Sequence, residues 1–263
     1  MDLGIEGRVA LVCGASKGLG RAIAFGLARE GVRLAICARG RTDLEQTAAA
    51  IRADTGAEVW TRATDVAVQA EAVAFVQEAG QHYGTVDILI NNAGGPPAGT
   101  FAELAEEQWQ EAIRLNFLSS VWLCREAVPY MEKQQWGRII NLTSVAVKQP
   151  IDGLMLSNAA RAGLTGFAKT LANELAAANI LVNNICSGYI LTDRVRDLAE
   201  TVAGTKGLTP AEVVRGWEQS IPMQRLGRPE ELANLVVFLA SERASYITGT
   251  SIQVDGGFYR GLL

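Results

Sequence analysis

Histidine is almost missing: His82 stands alone in 263 residues. No Cys/His cluster supplies the ligand set of a structural or catalytic zinc, so no metal is expected. His82 lies in a polar Gln-His-Tyr-Gly stretch and reads as a solvent-facing residue at a helix end. Cysteine is sparse as well. Cys13, Cys37, Cys124 and Cys186 are scattered, three of them in strand-like runs, which points to buried free thiols in a reducing cytoplasm rather than disulfides. Long apolar runs are absent, and the patch near Leu235–Ala240 is too short to span a bilayer. The first residues carry Asp2 and Glu6 with no long apolar core, so no secretory signal is expected. Basic residues are not in excess: 24 Lys and Arg face 28 Asp and Glu, a net charge of −4, which argues against a nucleic-acid partner. Linker-like breaks, low-complexity tracts and repeats are also lacking. The length suits one large α/β domain over residues 1–263, with neither nucleic acid nor membrane as partner.

What is present begins with Arg8–Arg21. Val9–Val12 fits a buried parallel strand, Gly14, Gly18 and Gly20 punctuate a tight turn filled by Ser16, Lys17 and Leu19, and Ala22–Ala28 resumes at helical period. Strand, glycine-rich turn and helix make a phosphate site, because the backbone can approach an anion and the helix start offers free N–H groups. Taken alone, the stretch also fits a glycine-rich loop with no ligand.

Strand-like runs then alternate with helical ones: Leu34–Ala38, Glu58–Ala63, Ile88–Asn91, Arg138–Leu142, Leu181–Ile185 and Ser251–Val254. That rhythm predicts a doubly wound parallel sheet of about seven strands with helices on both faces. After the second strand comes Arg39, where many dinucleotide folds place an acid for the ribose hydroxyls. With Lys17 it offers charge for a 2′-phosphate, so NADP is favoured over NAD; two solvated surface charges are the bland reading. Thr42 and Glu45 form a capping-box pattern for the next helix. Asp65, followed by Val66, can cap a helix or bond an adenine amine. Asn91-Asn92-Ala93-Gly94-Gly95 then gives backbone access at a strand end.

Together Gly14–Gly20, Asp65 and Asn91–Gly94 resemble the short-chain dehydrogenase/reductase family, of the 3-oxoacyl-acyl-carrier-protein reductase type. The later marks are Asn116, Ser144, Gly188-Tyr189-Ile190-Leu191-Thr192, Arg228-Pro229-Glu230-Glu231 and Ile247-Thr248-Gly249 running on to Val254-Asp255-Gly256-Gly257. The resemblance covers nearly the whole chain. It implies a single-domain Rossmann-like fold, a nicotinamide cofactor, interconversion of a carbonyl and an alcohol on a small molecule, and a homotetramer or dimer packed through the C-terminal strand. It also implies that Asn91, Ala93, Gly94, Gly188 and Ile190 line the cofactor and that Thr192 holds the carboxamide.

The family's chemistry uses Ser, Tyr and Lys, with an Asn on a neighbouring helix anchoring a relay water. Ser144 and Asn116 match. The Tyr and Lys positions fall on Ser157 and Arg161, and no tyrosine occurs between Tyr130 and Tyr189. Residues four apart share a helix face, so Ser157 and Arg161 head the stripe of Leu164, Leu171 and Leu175. Ser157 reads as an N-cap, a site residue, or both. An aliphatic hydroxyl is a poor general acid at pH 7, and an arginine keeps its proton. Arg161 can still clamp the ribose or polarise a bound oxygen. Three readings follow: a reductase whose proton comes from water or from Lys148 or Tyr189, a binder of NADP(H) without turnover, and a different enzyme that holds the nucleotide structurally. The first is preferred, because an intact crevice serves hydride transfer.

Residues from about Thr192 to Arg228 read as a helical lid over the substrate. Thr209-Pro210-Ala211-Glu212 starts its second helix, and Leu191, Val195, Leu198, Val214 and Trp217 offer it an apolar underside.

Overall fold

Seven apolar runs pair side by side in one sheet. The computed structural model describes residues 2–262; Met1 and Leu263, the two ends of the single-domain expectation, lie outside the described residues. The strands are β1 (Val9–Cys13), β2 (Arg33–Ala38), β3 (Val59–Ala63), β4 (Ile88–Asn91), β5 (Gly137–Ser144), β6 (Ile180–Ser187) and β7 (Ser251–Val254). Every pairing is parallel, in the order β3-β2-β1-β4-β5-β6-β7. β5 and β6 run longer than their apolar cores suggest, because they pair over eight positions from Gly137–Ile180 to Ser144–Ser187. The order reverses between β1 and β4, and an open sheet of this kind opens a crevice at the carboxyl ends of those strands.

Helices cover both faces: α1 (Gly18–Arg29), α2 (Arg41–Thr55), α3 (Gln69–Tyr83), α4 (Glu106–Ile113), α5 (Ser119–Gln134), α6 (Met155–Leu175), α7 (Asp193–Lys206), α8 (Pro210–Ser220) and α9 (Pro229–Leu239). A π-helical turn, Arg114–Leu118, joins α4 to α5. The strand period of two sorts β1 between two cores. Ala10 and Val12 meet Ile23 and Leu27 of α1, Leu44 of α2 and Leu232 of α9; Val9, Leu11 and Cys13 meet Phe75 of α3, Leu123 of α5 and Ala168 of α6. Each such fully buried aliphatic side chain contributes about 1.5–3 kcal/mol.

A row of polar residues crosses the sheet. Asn91 donates to Asn141 (2.8 Å), Asn141 to Asn184 (2.9 Å) and Asn184 to Ser251 Oγ (3.1 Å), each pair being register partners. These bonds link the amides across four strands and penalise a register slip.

Two local expectations are corrected. α2 already begins at Arg41 with Gly40 as its flanking residue, so Thr42 lies inside the helix and caps nothing; Glu45 instead accepts from Thr61 Oγ1 at 2.6 Å. Asp65 does not cap α3, which begins at Gln69, but turns the loop by accepting from the Ala67 N–H at 3.0 Å. The capping box at Thr209 forms, with the Glu212 N–H donating to Thr209 Oγ1 and the Thr209 N–H to Glu212 Oε2. Within the described residues, no helix is long and apolar enough to cross a membrane.

Candidate active site

The first loop is shaped by its glycines. Gly14 and Gly18 adopt left-handed φ of 61° and 57°, and a Cβ on Gly20 would lie 2.2 Å from the Gly14 carbonyl oxygen. Only hydrogen at Gly20 lets α1 seat against the end of β1. The residue flanking α1, Lys17, provides no side-chain cap, so the first N–H groups of this helix are left for a ligand. α8, with Thr209 in place, shows the alternative. An uncapped helix start behind two left-handed glycines fits a diphosphate.

A cavity of about 630 Å³ lies at the carboxyl ends of the strands. At its wall stand Gly14, Ser16, Lys17, Gly18, Leu19, Arg39, Asp65, Val66, Ala93, Gly94, Gly188, Ile190 and Thr192. Ser144, Ser157 and Arg161 line the same cavity. Elements far apart in sequence, from β1 to α7, therefore bring most of the expected site together.

Three expected residues stand back from that wall. Gly20 has a packing role, as described. Asn91 is 3% exposed and turns to Asn141 and to Cys124 Sγ, while its neighbour Asn92 lines the cavity and donates to the Cys13 carbonyl at 3.1 Å. Asn116 sits in the π-helical turn and donates to the Gly94 carbonyl at 2.8 Å, holding the loop that does line the cavity. The Oδ1 atoms of Asn91 and Asn116 are buried without a protein partner. Both residues, with Arg161, border a second void of about 10 Å³.

Ser157 falls at the third position of α6, whose flanking residue is Leu154, so it caps nothing. It is 8% exposed and lines the cavity beside Ser144, whose Oγ accepts from the Ala146 N–H at 3.1 Å. Arg161, one turn further along, is equally buried; its Nη1 donates to the Leu142 carbonyl at 2.6 Å. Burial, and secondarily the charge of Arg194, push its pKa down to about 10, which leaves the guanidinium charged at neutral pH. No tyrosine lines the cavity among the described residues. Neither proton-donor candidate reaches it: Lys148 is absent from the wall, and Tyr189 stacks on Trp217 with ring centroids 4.6 Å apart. Burial raises the Tyr189 pKa.

Comparison with known proteins gives the geometry its family. A family model described as enoyl-(acyl carrier protein) reductase matches residues 14–259. The 3-oxoacyl-[acyl-carrier-protein] reductase of Escherichia coli is 36% identical over 257 residues, 98% of this chain and 99% of the relative. The chain belongs to the short-chain dehydrogenase/reductase family. Among solved members, L-sorbose reductase from Gluconobacter frateurii, complexed with NADPH and L-sorbose, superposes with a TM-score of 0.95 at 38% identity, covering 100% of both chains. A single-residue variant of actinorhodin polyketide ketoreductase with NADPH gives a TM-score of 0.93 at 33% identity, covering 97% of this chain and 98% of that one.

Several wall residues of this family member escaped the sequence reading. Asp43, Glu111, Ser187 and Arg194 line the cavity, as does Asn92, which the sequence singled out only as part of the strand-end stretch. Alternation at the end of β4 sends Asn91 and Asn92 to opposite sides but does not say which of them meets the cavity. Arg194 carries no local signal. It opens α7, donates from Nη2 to the Pro96 carbonyl at 2.7 Å and so ties the start of the 192–228 segment to the loop after β4. Of the residues expected beneath that segment, Val195 and Leu198 line the cavity. Val214 and Trp217 instead pack with Ala199, Ala203 and Val213 in a small core of α7 and α8, and Leu191 is 44% exposed.

Proposed function

We propose that this chain is an NADP(H)-dependent oxidoreductase that interconverts a carbonyl and an alcohol, with Ser157 and Arg161 in place of the family's Tyr and Lys. The observation that carries the reading is one continuous cavity lined both by the glycine-rich loop and start of α1 and by Ser144, Ser157 and Arg161. The cofactor supplies or accepts the hydride. The N–H groups at the start of α1 receive its diphosphate, Lys17 and Arg39 face a 2′-phosphate, Asp65 and Val66 meet the adenine, and Thr192 holds the carboxamide. Ser144 and Ser157 hold the substrate oxygen by their hydroxyls. Arg161 stabilises the negative charge that grows on that oxygen, as a preorganised cation in a partly dry site does. It cannot deliver the proton itself, so water entering the cavity does.

The chain forms one domain in this reading, and residues 192–228 act as its lid. The edge strand β7 packs against a second copy in a dimer or tetramer, and the protein works in the cytoplasm.

The test is NADPH titration by quenching of protein fluorescence, followed by NADPH consumption with ketones, aldehydes, quinones and 3-oxoacyl thioesters. The double variant Ser157→Tyr with Arg161→Lys restores an acid of tunable pKa and is expected to gain turnover on a generic carbonyl. No gain in a folded, NADPH-binding double variant would remove Ser157 and Arg161 from the catalytic corner.

A further inference from the structure

The cavity wall carries hydroxyls and charges but little that gives up a proton at pH 7. Among the described residues no histidine, cysteine or tyrosine lines it. The single histidine, His82, lies near the end of α3, 3.5 Å from Glu58. Of the acids on the wall, Asp43 sits in the first turn of α2, Asp65 turns the loop after β3, and Asp193 pairs with Arg196 at 2.8 Å. Lys17 flanks α1 and approaches Asp193 at 4.0 Å. That leaves Glu111, exposed on α4. A carboxylate in contact with water has already lost its proton at neutral pH. The hydroxyls of Ser144 and Ser157 donate hydrogen bonds but are poor acids. Arg161, 8% exposed, keeps its proton and pairs with no carboxylate among the described residues. A carbonyl oxygen in this cavity is offered hydrogen bonds and an uncompensated positive charge, but no proton from the protein.

Resting on the reading above, we propose that this site selects electron-poor carbonyls, vicinal diketones above all, whose reduced oxygen is stable as an oxyanion before it is protonated. Water is a weak acid, so its proton arrives late and the oxygen bears nearly a full negative charge as the hydride is transferred. An acid of tunable pKa would share that charge. Here the substrate itself must carry it, helped by the fixed charge of Arg161 and by two hydroxyls. A second carbonyl beside the reacting one withdraws that charge, whereas an ordinary dialkyl ketone gives a far more basic alkoxide. In the step, the carbonyl carbon gains a C–H bond with the hydride of NADPH, and the π pair of the C=O bond moves onto oxygen. The oxygen then takes a proton from water, whose hydroxide leaves to bulk solvent. An alcohol and NADP⁺ result, and a second carbonyl is unchanged.

The test compares 2,3-butanedione with 2-butanone, and 4-nitroacetophenone with 4-methoxyacetophenone, in the wild type and in the double variant Ser157→Tyr with Arg161→Lys. Electron-poor ketones react faster with any hydride donor, so the double variant, which regains an acid, sets the baseline. The wild-type preference, as a ratio of kcat/KM, is expected to exceed that baseline by about tenfold or more, a fraction of what a general acid is worth. An equal or smaller preference overturns the proposal and leaves the redox reading standing. No turnover on any of the four, in a protein that binds NADPH, removes the redox reading and the proposal with it. A second measurement needs no double variant: wild-type kcat/KM for 4-methoxyacetophenone should stay level between about pH 6 and 9. A fall with rising pH that Glu111→Gln abolishes would put the acid on α4 and overturn the proposal. A third readout needs no turnover. 4-Nitrophenol is yellow only as its phenolate, and with the NADP⁺-loaded protein it should bind in that form, its apparent pKa moved down by a shift that Arg161→Gln abolishes. Binding as the neutral phenol, no binding, or a shift that survives in Arg161→Gln would overturn the proposal.

Discussion

Arg161 sets the terms at the scale of single residues. A buried guanidinium lacking a counter-ion destabilises the fold that carries it. Its folded pKa, about 10, lies below the value in an unfolded chain, so between those values the unfolded state binds the extra proton and stability rises with pH. Below about 10 the penalty is present in full. Arg161→Gln keeps a donor for the Leu142 carbonyl and removes the charge. The ligand-free variant is therefore expected to melt higher at pH 7, by about 2–4 °C per kcal/mol relieved, with ~1–3 kcal/mol at stake. That gain should shrink as the pH passes 10 in differential scanning calorimetry. A gain that stays constant through pH 11 would place its origin elsewhere. Arg39 gives the second residue-scale test. It lines the cavity where a 2′-phosphate would lie, and Arg39→Asp should shift the NADPH:NADH ratio of kcat/KM toward NADH by 10-fold or more, roughly the worth of one charge-assisted bond.

Elements explain why some of these side chains are in place. α8 is short, and its first turn is held by the reciprocal Thr209–Glu212 bonds. Thr209→Ala removes an N-cap worth about 1 kcal/mol. The expected outcome is faster amide exchange across Pro210–Ser220 with little change in the global melting temperature, because the segment has its own small core of Ala199, Ala203 and Val213. Uniform loss of protection across the sheet would instead show that α7 and α8 unfold only with the whole. In the sheet, Asn141 is the middle of the amide row. Asn141→Leu leaves the Asn184 side-chain Oδ1 without a partner and Asn91 Nδ2 with only Cys124 Sγ, and should cost about 1–3 kcal/mol, read as a lowered urea midpoint. An unchanged midpoint would mean that buried water replaces the row.

For the whole molecule, the two ends of the sheet divide the labour. The carboxyl end opens into the cavity. The amino end is tied by Arg138, 1% exposed, by Trp136 donating to Glu242 at 2.6 Å, and by Arg8 bridging to Asp87 at 3.2 Å. Between them the core encloses all four cysteines. Burial lifts the Cys124 thiol to about 12 and raises Cys186, while the hydrogen bond to its register partner Cys37, then burial, raises Cys13. A thiol reagent at neutral pH is expected to find none of them reactive in the native protein and all four in guanidinium chloride. Fast labelling of even one native thiol would show that the sheet opens locally.

Much of this was legible in the chain itself. Apolar runs separated by helix-length segments determine strand identity, order in sequence and parallel pairing, because a crossover helix leaves few other arrangements. The glycines of Gly14–Gly20 announce the tight turn between β1 and α1, since few residues other than glycine tolerate those φ angles and that close approach. The mismatch at Ser157 and Arg161 was likewise a matter of spacing. Tertiary structure decided the rest: that Asn92 and not Asn91 lines the cavity, that Asn116 braces a loop, that Ser157 caps nothing, and that Arg194 reaches the wall of the cavity that Arg161 lines. Side-chain direction in a strand and the contact of α7 with the loop after β4 depend on how the layers pack, and no local run of residues encodes that.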